Sequence, residues 1–319
     1  MAFDRPFLFG IIPTWGKWLG RDWGWDATLL AKVAEADCQL AQVDGGWRKV
    51  EETQGQYDWA ETDHEVDAII NAGMMPYIRL TETPTWAAVD GNPMNSPREE
   101  ASVIAAFEAF HAAIAERYAA KTPYFEFENE VNRHTWREPQ EYGKWLLRAR
   151  AKLTQGNPNK VLIGCSTLPS DETYLGGVYD YCSSQGVPHP FDRVAVHPYN
   201  DQGPIKYSDI VAYRNKMIEK NDVGTNIWIT EWGWSITQVN QYRIAQYIAD
   251  AFSNICFSGN YDYVDGMAYH QFLDIPSSNL YFGLCDDDFT PRPGYRMFSV
   301  WAKGCLTAPE SRAPLKTIV

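Results

Sequence analysis

Short apolar runs alternate with longer amphipathic segments along the chain. The short runs span four to six residues, and their β-branched and aromatic residues favour buried strands. Between them, apolar residues recur at the spacing of a helix face. The pattern predicts eight strands, at Phe7–Ile12, Leu40–Val43, Met75–Leu80, Tyr124–Glu128, Val161–Gly164, Arg193–Val196, Ile227–Thr230 and Gly266–Tyr269.

A helix is predicted after each strand. Ser96 and Pro97 form a favourable N-cap and first-turn pair for one of them, and Gly73 and Gly156 follow the ends of two others. The predicted helices are Thr28–Ala36, Asp63–Asn71, Pro97–Arg117, Pro139–Thr154, Glu172–Ser184, Ser208–Lys220, Asn240–Ser258 and Pro293–Ala302.

This order of elements predicts an α/β fold with a parallel sheet. Eight strand–helix units close naturally into one (β/α)8 TIM barrel, and 319 residues suffice for a single domain over residues 1–319. The alternative is an open doubly wound sheet, which often has a Gly-rich phosphate loop after the first strand. Here the first strand leads into Pro13-Thr14-Trp15-Gly16, which does not resemble such a loop.

Polar and aromatic residues follow several of the predicted strands. In a TIM barrel the chemistry takes place at the carboxyl ends of the strands, so these residues are predicted to meet at one rim. Carboxylates, amides, imidazoles and indoles are all represented there. The candidate site residues are Trp47, Trp86, Glu128, Asn129, Glu130, His197, Tyr199, Glu231, Trp232, Trp234 and Gln271.

Composition narrows the classes of partner. The chain carries 28 basic and 41 acidic residues, a net charge of -13, which disfavours binding to a phosphate backbone, so no nucleic acid partner is expected. It has no apolar run long enough for a membrane span, so no membrane partner is expected either. Its 13 Trp and 18 Tyr suit the flat faces of sugars, although large cores also use such side chains.

Glu130 and Glu231 end the predicted strands 4 and 7, which face each other across a barrel. Glycoside hydrolysis needs two carboxyl groups that flank one bond: one holds a proton for the leaving oxygen, and the other is ionised. Single glutamates at strand ends are usually solvated, but two on facing strands, one preceded by Asn and the other followed by Trp, indicate this chemistry more strongly.

These segments resemble the retaining glycosidases of glycoside hydrolase clan A, in particular family 39-like and family 5-like members. The resemblance lies in Tyr124-Phe-Glu-Phe-Glu-Asn-Glu-Val-Asn132, in Ile227-Trp-Ile-Thr-Glu-Trp-Gly-Trp-Ser235, in Val196-His-Pro-Tyr199, in the stretch from Asp44 to Trp86 and in the terminal Phe289-Thr-Pro-Arg-Pro293. Each match is short, but their order and spacing agree from the second strand almost to the end of the chain.

The resemblance implies a role for each matching residue. Glu130 matches the general acid/base and Glu231 the nucleophile of a double displacement through a glycosyl-enzyme. Asn129 matches an amide that binds the sugar 2-hydroxyl, where hydrogen bonds strengthen in the transition state. His197 and Tyr199 match residues that line the −1 sugar site, and Tyr199 is expected to hydrogen-bond the nucleophile.

The sequence departs from the family pattern at three points. Gln42 stands where the family commonly has an Arg that keeps the nucleophile ionised, and Arg79 on the next strand is predicted to replace it. Glu128 replaces a common Trp, and is predicted either to raise the pKa of Glu130 or to bind a sugar hydroxyl. Strand 8 continues into His270 and Gln271 rather than a Trp, so the sugar platform is expected either to differ from that of the family or to come from Trp232 or Trp234.

Three other functions share parts of this pattern. A non-catalytic sugar-binding barrel would keep the aromatic residues, and a transglycosylase would share every site residue. A metal-dependent hydrolase would use His197, His270 and a carboxylate, although only six His are present. We expect no metal, no organic cofactor and a monomer with a carbohydrate substrate. The sugar, its linkage and endo or exo action are not predicted.

Six cysteines are widely spaced without a CxxC pair, so buried free thiols are expected, and Cys285 with Cys305 is the disulfide to test first. The N-terminal segment lacks a basic start and a small-residue cleavage site, so it does not resemble a signal peptide, and the location remains open.

Overall fold

Eight parallel strands form a closed barrel in a computed structural model of the chain. The structure describes residues 7–15, 17, 20–133, 136 and 138–306, without the side chains of residues 23, 25 and 304–306. The strands pair in chain order, and β8 pairs with β1, with Phe9 opposite Met267. They are β1 Leu8–Ile11, β2 Leu40–Asp44, β3 Met75–Leu80, β4 Tyr124–Phe127, β5 Val161–Gly164, β6 Arg193–Val196, β7 Asn226–Trp232 and β8 Val264–Tyr269. The predicted (β/α)8 barrel is confirmed, and the closed sheet excludes the doubly wound alternative.

Helices surround the barrel. In the described part of the chain they are α1 Trp23–Glu35, α2 Trp47–Val50, α3 Ala60–Asn71, α4 Ala101–Tyr118, α5 Pro139–Gly156, α6 Glu172–Ser184, α7 Tyr207–Glu219, α8 Gln241–Phe252 and α9 Pro293–Leu306. A π-helical turn, Ser253–Phe257, continues α8. None of the helices that the structure describes combines the length and the apolar character needed to cross a membrane.

The start of α4 differs from the prediction. The helix begins at Ala101 and not at Pro97, so the proposed N-cap at Ser96 was wrong. Pro97 instead forms an isolated bridge with Ala88, and the amide of Arg98 donates to the carbonyl of Ala87. The loop after β3 therefore folds back on itself before the helix starts. The short helix α2 was not predicted.

The barrel interior is filled at its amino-terminal end. Inward-facing side chains form one apolar cluster there, and the Trp228 ring centroid lies 5.0 Å from that of Tyr124 and 6.2 Å from that of Tyr77. This aromatic floor closes the barrel below the carboxyl-terminal mouth. The cluster consists of Leu40, Tyr77, Ile163, Ala195, Trp228 and Ala268.

A larger apolar layer lies between the barrel and the helices. The cysteines with described side chains are free thiols, and those of Cys38, Cys165, Cys182 and Cys285 are buried. The predicted candidate disulfide is thus not formed at Cys285, and the side chain of its proposed partner Cys305 lies outside the described residues.

Candidate active site

The end of β4 turns sharply over the mouth of the barrel. Glu128 and Glu130 adopt left-handed conformations, with φ of 61° and 49°. Such conformations cost about 1–3 kcal/mol each in residues other than glycine and persist where the surroundings impose them. Here the amide of Glu128 donates to Leu80 O at 2.9 Å, and that of Glu130 to Ser166 Oγ at 3.2 Å. These contacts hold Glu130 in position.

The end of β7 is irregular, and this irregularity directs Glu231 toward the mouth of the barrel. The register against β8 shifts between Ile229 and Trp232. Regular alternation would send Thr230 and Glu231 to opposite faces. The irregularity instead lets both approach His197, since Thr230 Oγ1 lies 3.0 Å and Glu231 Oε2 lies 3.8 Å from its ring nitrogens.

The two predicted catalytic carboxylates meet at this mouth. One carboxylate oxygen of Glu130, one of Glu231 and one ring nitrogen of His197 all lie within 4.8 Å of one another. Their side chains are 14% and 9% exposed for Glu130 and Glu231 and 0% for His197. Substrate could therefore reach both carboxylates, while little bulk water screens them.

Arg79 and Tyr199 hold the carboxylate of Glu231 from two sides. Arg79 Nη1 donates to Glu231 Oε1 at 2.6 Å and also contacts Asn129 Oδ1 at 3.3 Å. The hydroxyl of Tyr199 donates to Glu231 Oε2 at 3.1 Å. Each oxygen of Glu231 thus has a donor, which fixes the orientation of the carboxylate.

These contacts account for the acidity of Glu231. Burial by itself would raise its pKa, but the charges of His197, His270 and Arg79 and the hydrogen bond from Arg79 outweigh burial and lower the pKa to about 2. Burial lowers the pKa of His270 itself, because a charge on that enclosed ring is poorly solvated. Arg79 is the permanent cation in contact with this group.

His197 stands between the two carboxylates. Its Nδ1 lies 3.7 Å from Glu130 Oε1 and 3.8 Å from Glu231 Oε2, and Nε2 lies 3.0 Å from the hydroxyl of Thr230. Burial opposes a charge on the ring, but the neighbouring carboxylates prevail and raise the pKa of His197. The imidazole of His197 is therefore placed to stabilise negative charge on either carboxylate.

Glu130 also borders a second space. Arg133 Nη1 lies 2.9 Å from Glu130 Oε2, and its side chain is 51% exposed. A cavity of 180 Å³ opens beside this pair, with Glu82 and Glu128 in its wall. Burial and the charge of Glu82 raise the pKa of Glu128 to about 8. Near neutral pH this third carboxyl group can therefore donate a hydrogen bond into the cavity.

Three of the predicted sugar-binding tryptophans lie elsewhere. Trp47, Trp232 and Trp234 are at most 3% exposed and belong to the apolar layer outside the barrel. The indole of Trp47 donates to Glu51 Oε2, that of Trp234 donates to Gly203 O, and Trp232 packs on Tyr269. The prediction that they contact substrate is corrected, because all three side chains are buried in that apolar layer. Trp86 is half-buried, and its indole donates to the backbone of Glu51.

Gln42 and Gln271 have no described contact with the carboxylate pair. The amide of Gln42 donates to Tyr77 Oη at 2.9 Å. Gln271 is 1% exposed, and its side-chain nitrogen has no hydrogen-bond partner among the described residues. Arg79, not Gln42, contacts the nucleophile candidate.

Glu126 and Arg133 were not among the predicted site residues, and His270 was assigned no role beside the nucleophile. Glu126 lies inside the barrel beside Arg79 in the strand register, and Arg133 pairs with Glu130. His270, considered only as a metal ligand, lies close enough to Glu231 to affect its charge. Alternation along β4 could have indicated Glu126, because Tyr124 and Glu126 share a face.

The cluster of Glu130, His197 and Glu231 has the spacing of a metal site. However, Arg79 and Arg133 each pair with one of its carboxylates, and two cations at these distances oppose a third. A groove of 640 Å³ between α1 and α3 is larger than the cavity at the mouth, but none of the predicted site residues lines it.

The fold is shared with glycoside hydrolases of known structure. No family model matches the chain, and no curated protein matches it in sequence. A family 39 glycoside hydrolase from the gut symbiont Bacteroides cellulosilyticus WH2 superposes with a TM-score of 0.72 at 20% identity, over 97% of this chain and 66% of that one. An exo-β-1,4-mannosidase from Opitutaceae bacterium strain TAV5 gives 0.70 at 15% identity, over 95% and 61%.

A shorter relative matches over nearly its whole length. Xylanase B from Clostridium stercorarium F9 superposes with a TM-score of 0.65 at 17% identity, over 92% of this chain and 96% of that one. This chain spans about two thirds of the length of the first two relatives. At these identities the likeness establishes the (β/α)8 barrel that this chain has in common with them.

Proposed function

We propose that this chain is a retaining glycoside hydrolase, with Glu130 as general acid/base and Glu231 as nucleophile. The observation that carries the proposal is that one carboxylate oxygen of Glu130 and one of Glu231 lie within 4.8 Å of each other. Retaining enzymes place the two carboxyl groups about 5–5.5 Å apart, whereas inverting enzymes need about 6.5–9.5 Å to admit a water between them. The short separation favours direct attack by Glu231.

In the first step Glu231 attacks the anomeric carbon while Glu130 gives its proton to the leaving oxygen. The glycosidic bond breaks, and an ester forms between the sugar and Glu231. Arg79 and Tyr199 keep Glu231 ionised and aimed before the attack. Asn129, held by Arg79, is available to the sugar hydroxyl next to the anomeric carbon.

In the second step Glu130, now a carboxylate, takes a proton from water, and the oxygen of that water attacks the anomeric carbon. The ester breaks, and the sugar leaves with its original configuration. Negative charge moves from Glu231 to Glu130 in the first step and returns in the second. His197 Nδ1 is nearly equidistant from both and can stabilise each in turn.

The structural relatives are glycoside hydrolases, which supports this class of reaction, and carbohydrate is the proposed substrate. Among the alternatives, a sugar-binding barrel without activity would not need the Arg79–Glu231 contact, which keeps a nucleophile ionised. A transglycosylase shares the first step and differs in the acceptor. The proposal names no particular sugar. It includes the expectation that the chain acts as a monomer.

The test uses aryl glycosides of several sugars, with the anomer of the first product followed by NMR. We expect a product of unchanged configuration. Glu231→Ala should abolish turnover, while Glu130→Ala should spare substrates with good leaving groups in the first step. Glu108→Gln, on the outer face of α4, is the control. An inverted product, or equal loss on all leaving groups in Glu130→Ala, would contradict the assignment.

A further inference from the structure

A cavity of 180 Å³ lies beside Glu130 and takes no part in the catalytic steps proposed for this chain. The two carboxyl oxygens of Glu130 face different spaces. Oε1 lies 3.7 Å from Nδ1 of His197, on the side of the nucleophile, whereas Oε2 lies 2.9 Å from Nη1 of Arg133, in the cavity wall. Neither His197 nor Glu231 is among the described residues that line the cavity. Glu130 therefore stands between the nucleophile and this space.

The position of the cavity matches the position of a leaving group. The group that leaves remains bonded to the oxygen that Glu130 protonates, so it lies against Glu130. Glu231 attacks the anomeric carbon from the opposite face, so the leaving group also lies away from Glu231. The cavity meets both conditions, and its volume suits a single sugar ring.

Part of the cavity wall is apolar and belongs to the loop after β3. Met94, which is 46% exposed, and Pro93 lie there, and Trp136 adds an apolar contact from the segment after β4. The amide of Thr83 donates to the carbonyl of Pro93 at 2.9 Å, which holds this part of the loop. Sugar rings present C–H groups that pack against apolar side chains of this kind.

The rest of the wall is polar, and Glu128 is the carboxyl group that remains available there. Glu82 pairs with Arg48 at 3.2 Å, and Glu130 pairs with Arg133 at 2.9 Å. No described residue donates a hydrogen bond to the carboxyl group of Glu128, and burial and the charge of Glu82 raise its pKa to about 8. At neutral pH it therefore carries a proton. A protonated carboxyl group offers a donor and an acceptor, which complements a sugar hydroxyl group.

We propose that this cavity binds the leaving-group sugar, and that the carboxyl group of Glu128 hydrogen-bonds one of its hydroxyl groups. The substrate is then a disaccharide or a longer saccharide rather than a glycoside of an apolar alcohol. The inference rests on the proposed function, because a leaving group exists only if a glycosidic bond is broken. Glu128 takes no part in the bond-breaking steps and acts as a residue that determines specificity.

The discrimination has a physical cause. A hydroxyl group in the cavity replaces water as the partner of Glu128, because it both accepts and donates. An apolar alcohol displaces the same water and leaves the carboxyl group without a partner. A site that holds such a polar group rejects ligands that cannot pair with it. Met94 favours both kinds of ring, so the difference between them depends on Glu128.

The test compares two kinds of leaving group of similar size on one donor sugar, namely the sugar whose aryl glycoside the wild type hydrolyses fastest. The first kind is a set of disaccharides that join this donor to glucose, mannose or xylose. The second is the cyclohexyl glycoside of the same donor, whose ring carries no hydroxyl group. Both leaving groups are alkyl alcohols, so their bonds have similar intrinsic reactivity. The wild type should show a kcat/KM about tenfold or more higher for the best disaccharide.

Glu128→Leu should lower kcat/KM for that disaccharide about tenfold more than for the cyclohexyl glycoside. Glu128→Ala should behave in the same way, whereas Glu128→Gln keeps a donor and an acceptor and should retain most of the preference. Because both substrates are measured on the same preparation, any loss of folded protein cancels in the ratio. Glu116→Leu, on the exposed face of α4, is the control and should keep the wild-type ratio.

The leaving-group site and the proposed function fail in different ways. An unchanged ratio in Glu128→Leu, or a wild type without preference for any disaccharide, would overturn the leaving-group site and leave the assignment of Glu130 and Glu231 intact. A protein that hydrolyses none of the glycosides would overturn the proposed function, and the inference with it.

Discussion

At the scale of single residues, the permanent charge of Arg79 determines the state of Glu231. We predict that Arg79→Met lowers kcat/KM about 10²–10³-fold, since an ionised nucleophile in a nearly dry site loses its strongest donor. The pKa of Glu231, held at about 2, should rise, so the acidic limb of the pH–rate profile should move toward neutral pH. Arg148→Met, on the outer helices, is the control. An unmoved acidic limb would contradict this role.

Glu128 should lower stability as the pH rises. Its pKa of about 8 in the folded protein lies above the unfolded value of about 4.3, so the folded state binds the proton more tightly. Stability is therefore lost between about pH 4 and pH 8. We predict that Glu128→Gln has a higher Tm than the wild type, with a difference that grows over this range. The measurement is calorimetry at several pH values, with Glu82→Gln as the comparison. A difference independent of pH would rule out this assignment.

For single residues, the chemical role was easier to predict than the direction in which the side chain points. Glu130, Asn129, Glu231 and Tyr199 end strands on the rim, and strand ends are visible in a hydrophobic pattern. The side to which Trp232 points depends on the register shift of β7 against β8, which no local pattern encodes. Alternation along β4 places Glu126 on the same face as Tyr124, but that pattern does not show which side chains lie across the barrel from it.

At the scale of elements, β7 and β8 approach each other unusually closely at the site. A Cβ added to Gly233 would lie 2.2 Å from His270 O, which nothing but a backbone shift can relieve. We predict that Gly233→Ala displaces the strand end that carries Glu231, lowers stability by about 1–3 kcal/mol and reduces kcat more than a hundredfold.

The matched control for that variant is Gly224→Ala, in the loop before β7. An added Cβ there meets no atom within 4 Å. Urea unfolding and kcat of both variants, measured side by side, test the prediction. Loss of activity in Gly224→Ala as large as that in Gly233→Ala would mean that the loop, and not the contact with His270, carries the effect.

Element boundaries were predicted well where packing and local preference agree. The strands β3, β5 and β6 begin and end at the predicted residues, because each is a bounded apolar run. The start of α4 was missed because Ser96 and Pro97 are a good helix start locally, yet Pro97 is held by Ala88 in a long-range bridge. Tertiary contact overrode the local preference.

At the scale of the whole molecule, closure of the sheet makes the barrel depend on its last strand. Without β8, both β1 and β7 would have open edges, and the backbone pairing of Phe9 with Met267 would be lost. We predict that a chain ending at Ser258 has no cooperative thermal transition by near-ultraviolet circular dichroism. The full chain, by contrast, should unfold in one main transition. A cooperative transition in the shortened chain would show that the remaining strands form a stable unit.

The aromatic floor of Tyr77, Tyr124 and Trp228 also closes the amino-terminal end of the barrel, so within the described part of the chain the catalytic pair is approached from the carboxyl-terminal mouth. On the proposed mechanism, the water that resolves the glycosyl-enzyme must come through the opening that the departing alcohol has just vacated. Any sugar or alcohol that lingers there competes with water for the same anomeric carbon. The ratio of hydrolysis to transfer should therefore follow acceptor concentration, so that hydrolase and transglycosylase become two limits of one partition ratio and not two kinds of protein.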